Sequence, residues 1–178
     1  AKGKLIGYPH DLLSYFDINT KLGQIQSDIK LSSSNDFLGF KGQISLKEFG
    51  LGSFLGISQI GNTDWSLQLN GSQKESDLNV ELEFVGNFIE YKKERIDNIY
   101  AKGNIKDEVF EGNINVKDDA IDLTFNGQAN ISGERYLFNF LSIVNHLDLK
   151  KLGLSKEDIV TSAFVNMDFS ATSIDDVI

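Results

Sequence analysis

The chain has 178 residues, of which 40% are hydrophobic, and this is enough for one folded domain with a core. Its formal net charge of −9 argues against binding to nucleic acid or to an anionic bilayer, because both partners are themselves negative. It contains no cysteine, which excludes disulfides, thiolate metal sites and cysteine nucleophiles. The chain begins without Met, and we expect it to be a segment of a longer protein.

Alternation of apolar and polar residues predicts β-strands along most of the chain. Side chains two positions apart lie on the same face of a strand, so this pattern indicates sheets with one apolar and one polar face. The sequence is therefore predicted to be all-β. In chain order, the alternating segments are 23–31, 40–46, 65–71, 78–88, 99–105, 110–116, 123–131 and 163–169.

The connections between these segments are too short for crossover helices. Only 106–108 and 117–119 separate three successive strands in the second half. Neighbouring strands are therefore expected to be antiparallel, and the sheet is expected to meander. Helical turns are predicted only at 9–16, 49–55 and 146–152.

Glycine recurs on the apolar face of the predicted strands. A glycine inside a strand costs roughly 0.5–1 kcal/mol relative to alanine, so some feature of the fold must compensate. One interpretation is a curled antiparallel meander, a trough-like (β-taco-like) sheet with an apolar concave face. The other is that the glycines mark bulges or corners of an ordinary barrel or sandwich. The positions concerned are Gly42, Gly71, Gly86, Gly103, Gly112 and Gly127.

No pattern in the sequence predicts an enzyme, a metal site or a cofactor. His10 and His146 have no serine, carboxylate or second histidine at ligand spacing. The segment FGLGSFLG at 49–56 lacks the spacing and the βαβ context of a dinucleotide-binding loop. The carboxylates of Asp118, Asp119 and Asp122 are suited to calcium, but a solvated hairpin turn is the favoured interpretation.

The second half of the chain resembles a known family. The segments YAKGNI, VFEGNINVKDDAIDLTFNGQANIS, YLFNFLSIVNHLDLKKLGLS and SIDDVI follow the order found in TamB proteins of the Bacteroidetes type, within the AsmA-like superfamily. The resemblance covers roughly residues 99–178, and FKGQISLKEFGLGSFLG at 40–56 resembles the element that precedes it. The matching positions are Asp118, Asp119, Leu123, Phe125, Gly127, Tyr136, Phe138, Phe140, Leu147, Asp148, Leu149, Leu152, Leu154, Ile174, Asp175, Asp176 and Val177.

The resemblance implies a place and a function. It implies a periplasmic segment of a protein that is anchored in the inner membrane and reaches the outer membrane of a Gram-negative bacterium. It implies a non-enzymatic hydrophobic groove for phospholipid transport and outer-membrane biogenesis. The implied partners are phospholipid or other acyl chains, neighbouring repeats of the same chain and an outer-membrane barrel of the BamA/TamA type. The chain would then hold two successive repeat units, at about 1–95 and 96–178.

Twelve apolar-face residues are the predicted lining of this groove. Acyl chains resting on them would be shielded from water at roughly 0.8 kcal/mol per buried methylene. The predicted lining residues are Phe40, Ile44, Leu67, Leu69, Phe84, Phe88, Phe110, Gly112, Ile114, Leu123, Phe125 and Gly127.

Two further hypotheses remain open from the sequence. The first is a chaperone or scaffold module that binds unfolded outer-membrane protein strands at an open sheet edge. The second is a carbohydrate-binding or calcium-dependent surface module on the polar face. They differ in what they require: a continuous apolar groove for lipid transport, an unpaired edge strand for the chaperone, and a metal or aromatic platform for the surface module.

Overall fold

A computed structural model describes residues 2–8, 10–130 and 136–171. These residues form one antiparallel sheet in which eleven strands lie side by side in sequence order. The all-β meander predicted from the alternation is therefore confirmed. The strands are β1 (Lys2–Tyr8), β2 (Asp11–Thr20), β3 (Gly23–Ser34), β4 (Phe37–Gly50), β5 (Ile60–Lys74), β6 (Asp77–Tyr91), β7 (Glu94–Lys106), β8 (Val109–Lys117), β9 (Ile121–Asn130), β10 (Tyr136–Asp148) and β11 (Val160–Ala171).

The helical predictions have mixed outcomes. The prediction at 49–55 is confirmed, because α1 spans Leu51–Leu55 and ends at Gly56 in a left-handed conformation. The prediction at 9–16 is wrong from residue 11 onward: these residues begin β2, which pairs with β1 and β3, while Pro9 lies outside the described residues. The prediction at 146–152 is also wrong, since β10 continues to Asp148 and turns follow. Pairing with two neighbouring strands overrides a weak local helical signal.

The sheet is curled but remains open. Among the described residues, β1 and β11 each have one hydrogen-bonded neighbour, and the two ends of the meander do not meet. Several pairs contain register shifts, and these lie towards one end of the strands, as at Leu46/Phe49 in β4 and Val144/Leu147 in β10. Bulges increase the local twist and bend the strand that carries them, so they curl this end of the sheet.

The core lies at this same bulged end. The connection through α1 lies against β5, and the segment after β10 reaches the β6–β7 turn, where Lys92 Nζ donates to the Gly153 carbonyl at 3.5 Å. Phe49 is 2% exposed and its ring meets Phe54 edge to face at 5.7 Å. The buried apolar side chains of the described residues are Leu46, Phe49, Phe88, Val116, Ala120 and Leu152.

The predicted division into two repeat units has no visible mark in the sheet. Residues 95 and 96 lie near the start of β7. β6 and β7 pair from Asn79 with Lys106 to Tyr91 with Glu94, so hydrogen bonding continues across the boundary. The division stays a prediction.

Candidate functional site

The strand register aligns the predicted groove residues into rows that cross the sheet. In one row, each side chain lies directly opposite the next on the neighbouring strand, so six strands contribute to one continuous apolar stripe. The members of this stripe are Ile44, Leu67, Phe84, Ala101, Ile114 and Phe125.

A second stripe runs parallel to the first, four positions away along each strand. It contains the predicted residues Phe40 and Phe110, and Leu123 belongs to a further row at the core end. The register shows that the apolar face is wider than the predicted site. The members of the second stripe are Phe40, Gly71, Val80, Ile105, Phe110, Ala129, Phe138 and Phe169.

A row rich in glycine lies between these two stripes. Three of its glycines occupy successive strands, since Gly103 pairs with Gly112 and Gly112 pairs with Gly127. The sequence shows glycine at fixed places within single strands, but only the register shows that they align. The row consists of Gly42, Leu69, Leu82, Gly103, Gly112, Gly127 and Phe140.

Backbone leaves no room for a side chain at these glycines. A Cβ on Gly112 would clash with the Lys102 carbonyl oxygen and lie 2.6 Å from the Gly103 Cα. A Cβ on Gly127 would clash with the Asn139 carbonyl oxygen, and its φ of 146° is one that L-residues rarely adopt. The glycines therefore allow neighbouring strands to approach in a way that no other residue permits.

Phenylalanine rings compensate for the missing side chains. The Phe110 ring lies 2.7 Å from where a Cβ on Gly103 would be, and 2.9 Å from the equivalent position on Gly112. Phe40 covers Gly71 in the same manner, at 2.8 Å. A large ring placed over a strand glycine buries its backbone and restores the packing that the glycine forfeits.

Sequence reasoning missed an aromatic cluster at the β8–β11 end of this face. Phe125 meets Phe110 at 6.4 Å between ring centroids and Phe140 at 5.0 Å. Phe138 continues the cluster to Phe140 and to Phe169, at 6.5 and 6.4 Å. The alternation of Phe138 and Phe140 was visible in the sequence, but the register that places Phe140 opposite Gly127 was not.

The apolar face is only partly covered by the protein itself. Eleven of the twelve predicted lining residues are half-buried. If another layer of protein closed over this face, their side chains would be fully buried. The exception is Phe88, which is 8% exposed and lies at the bulged end. The Arg95 guanidinium sits 3.9 Å from the centroid of its ring, so Phe88 is part of the core end.

The opposite face of the sheet is polar, and a depression of about 890 Å³ is bordered by its side chains and by part of the glycine-rich row. Of the twelve predicted lining residues, Leu69 alone borders it. Close to it, Tyr100 donates to Glu83 Oε1 at 3.1 Å, and burial followed by this hydrogen bond raises the pKa of the Tyr100 hydroxyl.

The acidic trio is engaged in turn and surface contacts. Asp118 accepts from the backbone N–H groups of Asp97 and Ala120, at 3.0 and 2.8 Å, so its carboxylate holds the β8–β9 turn. Asp119 pairs with Lys151 at 3.4 Å, and Asp122 accepts from Asn145 at 3.2 Å. Within residues 2–8, 10–130 and 136–171, no group of three or more His, Asp or Glu side chains has a metal-binding arrangement.

Both edges of the sheet expose apolar side chains. β1 is exposed over its whole length, with Leu5 and Tyr8 at 67% and 71%. On β11, Phe164 is 69% exposed and projects from the polar face, opposite Ile143 of β10. An unpaired strand with apolar side chains is a template for a further strand.

Comparison with known proteins finds no matching protein family, no similar curated protein and no similar solved structure. Across the described part of the chain, none of the helices is long and apolar enough to cross a bilayer. The fold and the geometry of its two faces are therefore the basis for a functional proposal.

Proposed function

We propose that this chain is a non-enzymatic segment of a periplasmic TamB/AsmA-like protein, whose apolar sheet face shields lipid acyl chains from water. In this role it serves phospholipid transport from the inner to the outer membrane and outer-membrane biogenesis. The observation that carries the proposal is the half-burial of eleven predicted lining residues on one continuous face. A soluble protein that leaves such a surface partly open needs an apolar occupant or partner to cover it.

Burial of acyl methylenes on the apolar face supplies the free energy of binding in this proposal. Each methylene that passes from water onto the apolar face gains about 0.8 kcal/mol, so a chain of about sixteen carbons has a large driving force without any specific polar contact. The stripes through Ile114 and Phe110 cross the sheet from strand to strand, which offers an acyl chain a path rather than a single pocket.

The open edges support a place within a longer groove. Within the part of the chain that the structure describes, β1 and β11 have no further strand on their outer sides, so neighbouring repeats of the same chain are suitable partners there. An outer-membrane barrel of the BamA/TamA type is the proposed partner at the far end of the groove.

Photocrosslinking to phospholipid tests the proposal directly. p-Benzoylphenylalanine would replace Ile114 on the apolar face, and in a matched variant Asn126 on the polar face. Each protein would be irradiated with vesicles of phosphatidylethanolamine and phosphatidylglycerol, and lipid adducts would be measured by mass spectrometry. We expect adducts at position 114 and few at position 126.

Two results would contradict the proposal. Equal labelling at both positions would mean non-specific adsorption, and no labelling at 114 in a correctly folded variant would mean that lipid does not reach this face. Folding is checked by the melting temperature of each variant in the dark.

A second function is favoured by the edge strands. The exposed β1, with Leu5 and Tyr8 projecting from it, is suited to pair with an unfolded outer-membrane protein strand. A peptide copied from such a strand would then protect the β1 amides from hydrogen exchange. Unchanged exchange of the β1 amides in the presence of the peptide would contradict this second function.

A further inference from the structure

The bulged end of the sheet carries an exposed apolar segment that the lipid proposal does not use. Residues 53–59, which run from the second half of α1 towards β5, are all exposed. They include Phe54, Leu55 and Ile57, at 63%, 54% and 40%. A Cβ on Gly56 would meet no atom within 4 Å outside its chain neighbours, so the segment projects from the surface. We call residues 53–59 the apolar tip.

The apolar tip carries no charged side chain. It lies within residues 49–63, the longest uncharged stretch of a chain in which 24% of the residues are charged. In the part of the chain that the structure describes, every other run of five or more exposed residues contains at least one charged side chain. A solvated loop has no need to exclude charge, whereas a segment that enters an apolar environment does.

The apolar tip is held in place by the core. The Phe54 ring meets the buried Phe49 ring edge to face at 5.7 Å. The N–H groups of Gly56 and Ile57 both donate to the Gly52 carbonyl. Backbone donors that are paired within the protein lower the cost of leaving water. A segment that is already ordered also loses little conformational entropy on docking.

The turns on both sides of the apolar tip carry lysines. The residue before α1 donates its N–H to the Leu22 carbonyl at 2.7 Å, which places the β2–β3 turn and Lys21 beside the helix. The Lys92 N–H donates to the Gln59 carbonyl at 2.7 Å, which places the β6–β7 turn, with Lys92 and Lys93, on the other side. The aliphatic stems of such lysines can lie along an apolar surface while the ammonium groups reach phosphates.

The carboxylates around the apolar tip do not outnumber these lysines. Glu48, Glu90 and Glu94 lie on the adjoining strands. Glu90 is engaged within the protein, because its Oε2 accepts from the Asn62 N–H at 2.8 Å. The net charge of −9 therefore opposes adsorption of the molecule as a whole, but it is not concentrated at this point.

We infer that the apolar tip docks onto a phospholipid bilayer, with Phe54, Leu55 and Ile57 entering the boundary between headgroups and acyl chains. A stable protein interface takes about 20–30 residues on each side, whereas the tip exposes seven. A small uncharged projection flanked by lysines suits the headgroup boundary, where apolar side chains gain by insertion and cations by contact with phosphate. The inference concerns the end of the sheet and does not depend on the lipid groove.

A fluorescent label at a single cysteine tests the inference. The chain contains no cysteine, so Leu55→Cys can be labelled with nitrobenzoxadiazole at one place. Phe164→Cys is the matched control, because Phe164 is equally exposed but lies on the polar face of β11. Each labelled protein would be mixed with vesicles of phosphatidylethanolamine and phosphatidylglycerol. We expect the emission at position 55 to rise at least about twofold and that at position 164 to rise by less than about 1.2-fold. An unchanged emission at position 55, or equal rises at both positions, would overturn the inference.

A pair of double variants measures what the apolar tip contributes to vesicle binding. Leu55→Ser with Ile57→Ser removes two apolar side chains from the tip and leaves Phe54 on Phe49, so the core contact stays. Ile143→Ser with Phe164→Ser removes two exposed apolar side chains that face each other on the polar face. We expect co-sedimentation with vesicles to weaken at least about tenfold for the first variant and less than about twofold for the second. Equal losses, in variants whose melting temperatures match the parent, would contradict bilayer docking at the tip.

Two further measurements separate this inference from its alternatives. Analytical ultracentrifugation without vesicles should give the same distribution of species for the parent and for Leu55→Ser with Ile57→Ser. A dimer that this variant abolishes would assign the tip to a second copy of the chain and overturn the inference. Crosslinking at position 114 to a short-chain phospholipid below its micelle concentration needs no bilayer. It should be unchanged in the tip variant, so the lipid groove and the docking tip fail or succeed separately.

Discussion

Adding one methyl group to the glycine row should destabilise the sheet. We consider Gly112→Ala and Gly127→Ala, with Gly50→Ala as a control. At Gly112 the obstacle is backbone, namely the Lys102 carbonyl oxygen and the Gly103 Cα at 2.6 Å. Backbone cannot move aside as a flexible side chain does, so the two strands must separate locally.

The magnitude follows from these contacts. Overpacking that shifts backbone typically costs about 1–3 kcal/mol, and this is the expected loss for Gly112→Ala. Gly127→Ala adds the strain of holding alanine at a φ of 146°, a further cost of about 1–3 kcal/mol. A Cβ on the buried Gly50 would meet its nearest atoms at 3.5–3.7 Å, which is ordinary contact. Gly50→Ala should therefore change the free energy of unfolding by less than about 0.5 kcal/mol.

Urea denaturation measures these differences. The single tryptophan, Trp65, lies 5.6 Å from Phe84 on the apolar face and reports unfolding by its fluorescence. With a slope of about 2 kcal/mol per molar urea, a loss of 2 kcal/mol lowers the midpoint by about 1 M. We expect the urea midpoint to be highest for Gly50→Ala, lower for Gly112→Ala and lowest for Gly127→Ala.

Parental stability in Gly112→Ala would refute this reasoning. It would mean that β7 and β8 have room for a Cβ between them, and that the glycines do not hold the strands in close approach. Destabilisation of Gly50→Ala to the same extent would likewise show that the loss comes from glycine replacement in general.

Three further predictions concern other parts of the molecule. Phe125→Ala should lower the free energy of unfolding by about 2–4 kcal/mol, because it removes the ring between Phe110 and Phe140, and urea midpoints equal to the parent would contradict the aromatic cluster. Asp107→Asn with Glu108→Gly should raise the free energy of unfolding by about 1 kcal/mol, because both residues hold a positive φ (48° and 67°) that Asn-Gly adopts readily. A urea midpoint below that of the parent would contradict this prediction. Hydrogen bonds from Gln24 and then Gln26 hold the pKa of Asp17 below 3.8. The ionised Asp17 therefore stabilises the fold above pH 3.8, and this contribution is lost as the pH falls through the lower pKa of the folded state. Gln24→Leu should raise the pKa of Asp17 in an NMR titration, and an unchanged pKa would exclude this hydrogen bond as the cause.

The family resemblance remains a prediction, and so does the lipid groove that depends on it. The positions of most strands, in contrast, could be predicted from the sequence. Period-two alternation predicted the strands of 40–46, 78–88 and 110–116, because side-chain direction along a strand is fixed by local backbone geometry. β1 could not be predicted, because its residues are exposed on both faces of the strand and show no consistent alternation. The proline at the start of 9–16 favours a helical turn there, whereas residues 11–20 form β2.

The tertiary structure decided what lies next to what. The alternation placed Gly103, Gly112 and Gly127 on the apolar face, but their alignment depends on register between strands, to which local sequence gives little access. The Phe110 ring that covers two of them became visible only with the side chains in place. The same holds for the depression of about 890 Å³, whose border comes from seven strands distributed over about a hundred residues. Sequence alone determined which face is apolar in the strands whose residues alternate, because that is a property of a single strand. The close approach at the glycines and the shape of both faces arise from pairing between strands, so only the fold supplies them.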